Sequence, residues 1–293
     1  MKQSVSIKQT ENENVIKKIK SKLTLTLFFI AYNAIDLIVK NKKMWVIKTG
    51  HELNIMRENA KIHKEVFDEI KKMAKPWVTW ADINKLCGDI CKKYDVYCGF
   101  KGVYDFPGNL CLSVNDCVVH GVPTRKIVFQ EWDVVKFDFW VRDKKYWLNT
   151  DAAFTMIIGD GPHDMEVEKF LKISEEALYK WIAKAVPWNR IGDIWAAIQQ
   201  HVESHGYHIV KDLTGHGIWY ELHEKPYVPN FWKAGTGEIL KENMTLAIEP
   251  IIGFSSGKIK EKWGFEIFIA DGSLWAQFEH TICVKPGYPE III

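Results

Sequence analysis

Four carboxylates interrupt apolar, strand-like segments of this chain, and they restrict what it can fold into. Asp138 lies in VVKFDFW, Asp151 begins DAAFTMII, Glu249 lies in TLAIEPII and Glu279 lies in AQFEHTICV. His216, in DLTGHGI, adds one imidazole beside another such segment. Because an unpaired charge inside an apolar sheet is strongly unfavourable, the fold must bring these groups to a compensating charge.

Two divalent metal ions would supply that compensating charge. Carboxylate oxygens suit hard or borderline divalent ions, and one added imidazole fits cobalt, manganese, iron or zinc. Carboxylates can bridge two ions about 3.5–4 Å apart, an arrangement that activates water for hydrolysis. Each residue taken alone could be a surface carboxylate on a half-exposed strand. The five together predict a dinuclear metal site.

Helix-type and strand-type patterns follow one another in blocks along the chain. Apolar residues recur at helical spacing after Ile47, over 80–94, and again over 164–184 and 191–205. Strand-like segments follow each pair of helical stretches. Helices followed by strands therefore occur twice, in about 120 residues each, which predicts an internally duplicated α+β domain rather than a Rossmann sheet. The sequence also has no GxGxxG motif and no phosphate-binding loop.

Residues 1–43 differ in character from the remainder. They begin polar and lysine-rich, and the segment LTLTLFFIAYNAIDLIV at 23–39 is apolar. That segment contains an asparagine and an aspartate, and is short for a membrane span. It also lacks a convincing signal cleavage site. A membrane anchor, an export signal, an amphipathic appendage and translation from Met44 stay open, and we expect a catalytic domain over 44–293 without membrane association.

Net charge and cysteine content bear on partners and compartment. The formal net charge is only +2 for 293 residues, which is less basic excess than nucleic-acid binding would need. The six cysteines are irregularly spaced, so we expect reduced thiols in a cytoplasmic protein. Cys87 and Cys91 could share a helix face, but no second pair completes a zinc site, and core packing explains them better.

The motifs of this chain, in their order, resemble the type I methionine aminopeptidases of the pita-bread family of dinuclear metallopeptidases. The resemblance runs from about Met44 to Val284 and includes FPGNLCLSVNDCVVHGVP, DVVKFDF, DAAFTMIIG, LHEKPYVPNF and SLWAQFEHTICV. It implies a pita-bread fold whose two pseudo-symmetric halves carry antiparallel sheets and flanking helices. It also implies metal-dependent removal of the N-terminal methionine from nascent proteins and peptides.

The resemblance also implies a role for each candidate site residue. The implied ligands of the two metals are Asp138, Asp151, His216, Glu249 and Glu279. His120, in VVHGVP, and His223, in LHEKP, are implied to contact the substrate without binding metal. Glu249 would also move a proton as general base and then general acid. The two histidines would stabilise the tetrahedral species.

An apolar slot for the methionine side chain is implied as well. Its residues are Phe100, Phe106, Cys111, Leu222 and Phe265, with Val103 nearby. All are apolar or soft, which suits a thioether. Core packing is the competing explanation for each residue alone.

The spacing of the two aspartates departs from the family pattern. They are usually eleven residues apart, whereas Asp151 follows Asp138 by thirteen and Asn149 stands at the eleventh position. Because DAAFT aligns without a gap after Asp151, we predict Asp151 as the ligand. Two extra residues in the hairpin near Lys144–Trp147 would explain the difference.

The chain contains thirteen tryptophans, several times common usage. The family pattern has glycine where this sequence reads Trp77, Trp132, Trp140, Trp188 and Trp219, and the other eight fall where glycine is common. Such sites favour glycine because it tolerates positive φ and close backbone approach. We hypothesise that all thirteen are glycines encoded by UGA and written as tryptophan. Made as written, the chain would fold poorly.

Two other functions fit the sequence less well than methionine removal, a membrane-associated variant would rest only on residues 23–39, and the type II class of the same enzyme is also disfavoured. A pita-bread peptidase that cuts before proline usually has a large N-terminal domain, which 43 residues cannot supply. A non-catalytic pita-bread binding protein is disfavoured by the five retained ligand types. A type II methionine aminopeptidase has a helical insertion between the ligands that match His216 and Glu249, where only 32 residues intervene. Expected partners are nascent polypeptide N-termini and the ribosome, and a monomer is expected.

Overall fold

The computed structural model describes residues 47–293, apart from residues 163, 232 and 262–263 and the side chains of 197 and 261. The apolar segment 23–39 lies outside the described residues, as does Met44. Among the described helices, none is long and apolar enough to cross a membrane.

Two helices precede the strands in each half of the chain. The first half contains α1 (Gly50–Met73), α2 (Trp80–Lys93), β1 (Val96–Cys98), β2 (Cys111–Val114), β3 (Cys117–Val119), β4 (Val134–Asp143) and β5 (Asn149–Ile157). The second half contains α3 (Met165–Ile182), α4 (Ile191–Ser204), β6 (His208–Ile209), β7 (Thr214–Gly217), β8 (Glu224–Pro229), β9 (Thr245–Ile248), β10 (Ile251–Gly253), β11 (Ile259–Glu261), β12 (Ile267–Ile269), β13 (Trp275–Gln277), β14 (His280–Cys283) and β15 (Glu290–Ile291). The predicted α+β class and the repeated order are confirmed.

Two capping boxes fix where the first helices begin. The Thr49 side chain accepts the Glu52 backbone N–H, while the Glu52 carboxylate accepts the Thr49 N–H at 2.7 Å. Thr79 and Asp82 make the same reciprocal pair before α2. Each box satisfies backbone donors that a helix start leaves without partners. Helix α1 therefore begins at Gly50, three residues after Ile47, where the helical pattern began.

Antiparallel pairing joins the strands into two larger and two smaller sheets. Strand β4 lies between β1 and β2 and also pairs with β5, while a five-stranded sheet has the order β15-β14-β9-β7-β8. The smaller sheets have the orders β13-β10-β6 and β11-β12-β3. An isolated bridge between Ala153 of β5 and Glu279 connects the strands of the first half to those of the second. Both larger sheets therefore contribute to one site.

The hairpin formed by β7 and β8 was not predicted from the sequence. Its strands read TGHG and EKPYVP. Glycine and proline are depleted in strands, so the pattern gave no signal there. The hairpin nevertheless matters for the site, because β7 carries His216 and the turn between the strands carries His223.

The β4–β5 hairpin keeps a regular strand register up to its turn. The ladder runs unbroken from the pair Val134–Ile157 to the pair Arg142–Asn149. At its end the Asp143 carboxylate accepts three backbone N–H bonds across the turn, including one of 2.8 Å from Leu148. Asp151 therefore lies within a regular ladder, and the insertion near Lys144–Trp147 stays a prediction.

All six cysteines are free thiols. Cys87 and Cys91 are 0% and 3% exposed on the inner face of α2. Burial raises the pKa of the Cys87 thiol well above its usual range. The two thiols pack in the core, as predicted.

His63 makes a pH-dependence prediction possible. Its ring lies between Phe67 and Phe139, with centroids 4.6 and 5.1 Å away, and neither ring nitrogen has a hydrogen-bond partner among the described residues. Burial, with a smaller effect of His280, lowers the pKa of His63 from 6.5 to about 3. The His63 imidazole is therefore neutral in the folded protein at pH values where the same imidazole binds a proton in the unfolded chain.

We expect the stability that depends on neutral His63 to be complete above pH 6.5 and to fall as the pH drops toward 3. Relative to His63→Leu, the wild type should lose about 2 kcal/mol of unfolding free energy between pH 7 and pH 5. Urea denaturation of both proteins across this range measures the difference. An equal pH dependence in the two proteins would contradict the prediction.

Candidate metal centre

Strand pairing brings three of the predicted carboxylates to one sheet face. Asp138, in the middle of β4, pairs with Ala153 of β5, and Ala153 also bridges to Glu279. Asp151 precedes Ala153 by two residues on β5. Because directly opposed residues and alternate residues of a strand share a face, all three carboxylates project to the same side.

The five-stranded sheet contributes the other two predicted ligands. His216 of β7 pairs with Ala247 of β9, and Glu249 follows Ala247 by two residues. Glu249 Oε1 lies 3.7 Å from His216 Nε2. These two side chains, both from the second half of the chain, therefore lie next to each other.

The donor atoms are close enough to share a cation. One ligand atom from each of Asp151, His216 and Glu279 lies within 4.8 Å of the others, and all three residues are buried. Asp138 Oδ1, Asp151 Oδ1 and Glu279 Oε1 are buried and accept no hydrogen bond from the described residues. Since buried carboxylate oxygens normally have partners, this donor set fits a divalent cation.

The electrostatics of the cluster support the same interpretation. Burial raises the pKa of Asp138 to about 8. Burial, with repulsion from neighbouring carboxylates, raises the pKa values of Asp151, Glu249 and Glu279 well above their usual range. The cluster is unfavourable as four bare anions, and cations would stabilise the ionised form.

Hydrogen bonding orients the His216 imidazole toward the carboxylates. Nδ1 lies 3.1 Å from the Gly217 carbonyl, so the tautomer that carries its proton there donates to that oxygen. Nε2 then keeps its lone pair on the side of Glu249. Burial, with His223 nearby, lowers the pKa of His216 well below its usual value, which keeps the ring neutral and able to bind metal.

His223 lies beside this cluster, and His120 is close enough to His223 to contribute to the lowering of its pKa. Both are exposed to solvent, yet surrounding protein lowers the pKa of His120 and that of His223, the latter to about 4. The His223 ring is 4.5 Å from the His216 ring in an edge-on arrangement. His120 has a positive φ of 60°. Both side chains are therefore neutral near pH 7 and accessible to a substrate.

The predicted slot residues form two contacting groups. The Phe106 ring lies 6.1 Å from Phe100 and 5.2 Å from Phe265. Leu222 belongs to a buried apolar cluster against which Phe100 and Val103 also pack. Cys111 pairs directly with Asp138 across β2 and β4, so the two side chains lie on the same face of the sheet.

Asn149, which occupies the usual spacing of the second aspartate, is engaged elsewhere. Its Oδ1 accepts the Trp140 indole N–H at 2.6 Å, and its Nδ2 donates to the carbonyls of Trp219 and Tyr220 at 2.8 and 2.9 Å. The Asp151 oxygen without a partner has no such commitments. This difference favours Asp151 over Asn149 as the metal ligand.

Two polar residues that support the cluster were missed in the sequence. Gln277 Nε2 donates to Glu249 Oε2 at 3.4 Å. The Thr281 hydroxyl accepts the Asp151 N–H at 2.9 Å and donates to the Asp151 carbonyl at 2.7 Å. Each lies two positions from Glu279 in an apolar segment, and this spacing was the only feature of the sequence that could have indicated them.

We expect Thr281→Val to weaken metal binding by about tenfold, because the hydroxyl fixes the backbone that carries Asp151. Isothermal titration with a divalent metal measures the change. Ser174→Ala is the control, since the buried Ser174 hydroxyl also bonds to a backbone carbonyl, that of Phe170, in α3, which carries none of the proposed ligands. Equal losses in the two variants would point to general destabilisation instead.

Solved structures of similar fold identify the fold class of this chain. The structure of methionine aminopeptidase from Thermotoga maritima matches with a TM-score of 0.81 and 37% identity, covering 85% of this chain and 99% of that one. The prolidase of Pyrococcus horikoshii OT3 matches in fold alone, with a TM-score of 0.65 and 16% identity over 85% of this chain and 63% of that one. The predicted pita-bread fold is thereby confirmed.

The sequence comparisons then give the family. Residues 54–286 match the profile of metallopeptidase family M24, and the chain belongs to that family. The methionine aminopeptidase of Clostridium acetobutylicum is 39% identical over 250 residues, which are 85% of this chain and 98% of that protein.

Proposed function

We propose that this protein is a methionine aminopeptidase, which removes the N-terminal methionine of peptides by metal-dependent hydrolysis. The observation that carries the proposal is the buried cluster of Asp151, His216 and Glu279, with the exposed His223 beside His216. The similarity to proteins of that name, at 37–39% identity over 85% of the chain, supports it.

In this proposal, two divalent ions are held by Asp138, Asp151, His216, Glu249 and Glu279. Cobalt, manganese, iron and zinc all suit four carboxylates with one imidazole. When bound, such ions would polarise the substrate carbonyl and lower the pKa of water. The residues of the chain itself then bind the peptide, orient it and move protons.

Glu249 is the side chain best placed to move a proton. Its carboxylate is 13% exposed and lies 3.7 Å from His216 Nε2, so it can accept a proton from water and pass it to the leaving amine. His223 and His120 are neutral near pH 7 and exposed to solvent, so their N–H groups can donate to the developing oxyanion. The slot at Phe100, Phe106, Cys111, Leu222 and Phe265 would bind the methionine side chain.

Peptide hydrolysis after metal stripping and refilling tests the proposal. Met-Ala-Ser should be cleaved after its methionine, and an Xaa-Pro peptide should not. Cleavage of Xaa-Pro alone would favour the proline-specific alternative. Metal binding without hydrolysis of either peptide would favour a binding protein. Action on nascent chains, ribosome docking, a cytoplasmic location and a monomeric state stay predictions from the sequence.

A further inference from the structure

Four of the tryptophans have a backbone conformation that suits glycine. Trp77, Trp132, Trp147 and Trp188 have φ values of 74°, 73°, 63° and 76°. Left-handed backbone is uncommon outside glycine, asparagine, aspartate and histidine, and is an outlier for a bulky side chain. Of the six other described non-glycine residues with positive φ, four are aspartate or asparagine and one is histidine. Tryptophan is therefore strongly over-represented in this conformation.

Backbone hydrogen bonds hold these turns in place. The N–H groups of Trp77, Trp132 and Trp188 donate to the carbonyls of Phe129, Ile158 and Leu240 at 2.9–3.0 Å. The side chains do little to compensate for the strain, since Trp77 and Trp188 are 76% and 86% exposed. The backbone of these turns is therefore stabilised by the fold, whereas a tryptophan side chain is unfavourable at their positive φ.

Five further tryptophans bury an indole N–H without an acceptor in the described part of the chain. They are Trp80, Trp181, Trp195, Trp219 and Trp275. A buried indole N–H usually finds a partner, because leaving it without one forfeits its hydration. The ring centroids of Trp181 and Trp195 lie 4.3 Å apart between α3 and α4. Both of their indole N–H groups lack an acceptor among the described residues.

Trp140 is the contrasting case among the described tryptophans. Its N–H donates to Asn149, and the absence of a side chain at Gly99 makes room for its ring, which would lie 1.9 Å from a Cβ there. Trp45, Trp232 and Trp263 lie outside the described residues. Nine of the ten described tryptophans thus conflict with their sites, either in the backbone or in the polar group.

We propose that the functional protein carries glycine at all thirteen tryptophan positions, because its own cell reads UGA codons there as glycine. Glycine relieves the four strained turns and removes the five buried N–H groups. A coding rule acts on every codon, so the proposal includes Trp140, which the structure accommodates.

One consequence concerns substrate binding and rests on the proposed function. The Trp219 ring packs against the same apolar cluster as Phe100, and Leu222 of the slot belongs to that cluster. Glycine at 219 would free that space beside the slot, three residues from His216. Residue 219 then sets the room available for the substrate side chain.

Peptide mass spectrometry of the protein from its own cells, with sequencing of its gene, tests the proposal directly. We expect glycine at the positions of all thirteen tryptophans and UGA at each codon. Tryptophan in the peptides, or UGG codons, would overturn it. Peptides with glycine at the other twelve positions but tryptophan at 140 would overturn the proposed reading of UGA codons. Neither result depends on catalysis, so this test can fail while the proposed function stands.

Recombinant variants separate backbone strain from the loss of exposed rings. Trp77, Trp132, Trp147 and Trp188 are changed together to glycine in one protein and to alanine in the matched control. Because alanine keeps its Cβ at positive φ, the glycine protein should have a Tm higher by about 10 °C. Equal Tm values would overturn the strain argument.

The slot is tested in the protein with glycine at all thirteen positions. Restoring tryptophan at 219 alone should lower kcat/KM for Met-Ala-Ser by about tenfold, mainly through KM. Restoring tryptophan at 188, on the exposed surface, is the control and should leave kcat/KM unchanged. Equal activity in the two proteins would overturn the role of residue 219.

Discussion

Replacing Asp151 with asparagine is expected to abolish metal binding and peptide hydrolysis together. An amide cannot supply the negative charge that balances a divalent ion, and Asp151 Oδ1 is one of three buried carboxylate oxygens without a hydrogen-bond partner among the described residues. We expect kcat/KM for Met-Ala-Ser to fall by at least about 10³-fold, equivalent to about 4 kcal/mol. Elemental analysis of the purified protein should show reduced metal content.

Asp143→Asn provides the matched control for this prediction. Asp143 is also a buried aspartate of the β4–β5 hairpin, but its oxygens accept backbone N–H bonds of the turn. This variant should lose stability while it keeps its metal content. Normal metal content in Asp151→Asn would contradict the assignment of Asp151 as a ligand and would return attention to Asn149.

His223→Ala should lower kcat by about 10²-fold while the protein keeps its metals. The ring lies beside His216 at the open edge of the cluster, and its pKa of about 4 keeps it a neutral N–H donor at pH 7. Because that donor would act mainly on the tetrahedral species, KM should change little. Steady-state kinetics and elemental analysis on one preparation measure both quantities.

His208→Ala is the control for the histidine substitution, since His208 is exposed on β6. It should leave both kcat and metal content unchanged. Loss of metal in His223→Ala would mean that the ring belongs to the ligand set. A change confined to KM would assign it to ground-state binding only.

The residues of the candidate site were predictable because their placement violates a physical rule. A carboxylate such as Asp138 inside the apolar segment VVKFDFW is unfavourable unless a compensating charge lies nearby, so its position indicates a site. The β7–β8 hairpin was not predictable, because its glycines and prolines carry no strand pattern. The supporting bonds of Gln277 and Thr281 were also missed, since they depend on how separate strands face each other.

The choice between Asn149 and Asp151 shows where sequence reasoning needed the structure. Both residues project from the same face of β5, two positions apart, so periodicity cannot separate them. Spacing favoured Asn149, whereas the segment that follows favoured Asp151. The hydrogen bonds that Asn149 Nδ2 donates to the backbone carbonyls of residues 219 and 220 supply the physical reason for preferring Asp151, and they do not depend on the side chain at 140.

The bridge between Ala153 and Glu279 has a consequence for how the protein matures. Asp138 and Glu279 lie opposite the same residue, yet 141 positions separate them in the chain. During synthesis the first half can form its hairpin long before the strand that carries Glu279 leaves the ribosome. Because contacts so distant in sequence close late in folding, the proposed metal site cannot be complete until most of the second half of the chain has been made.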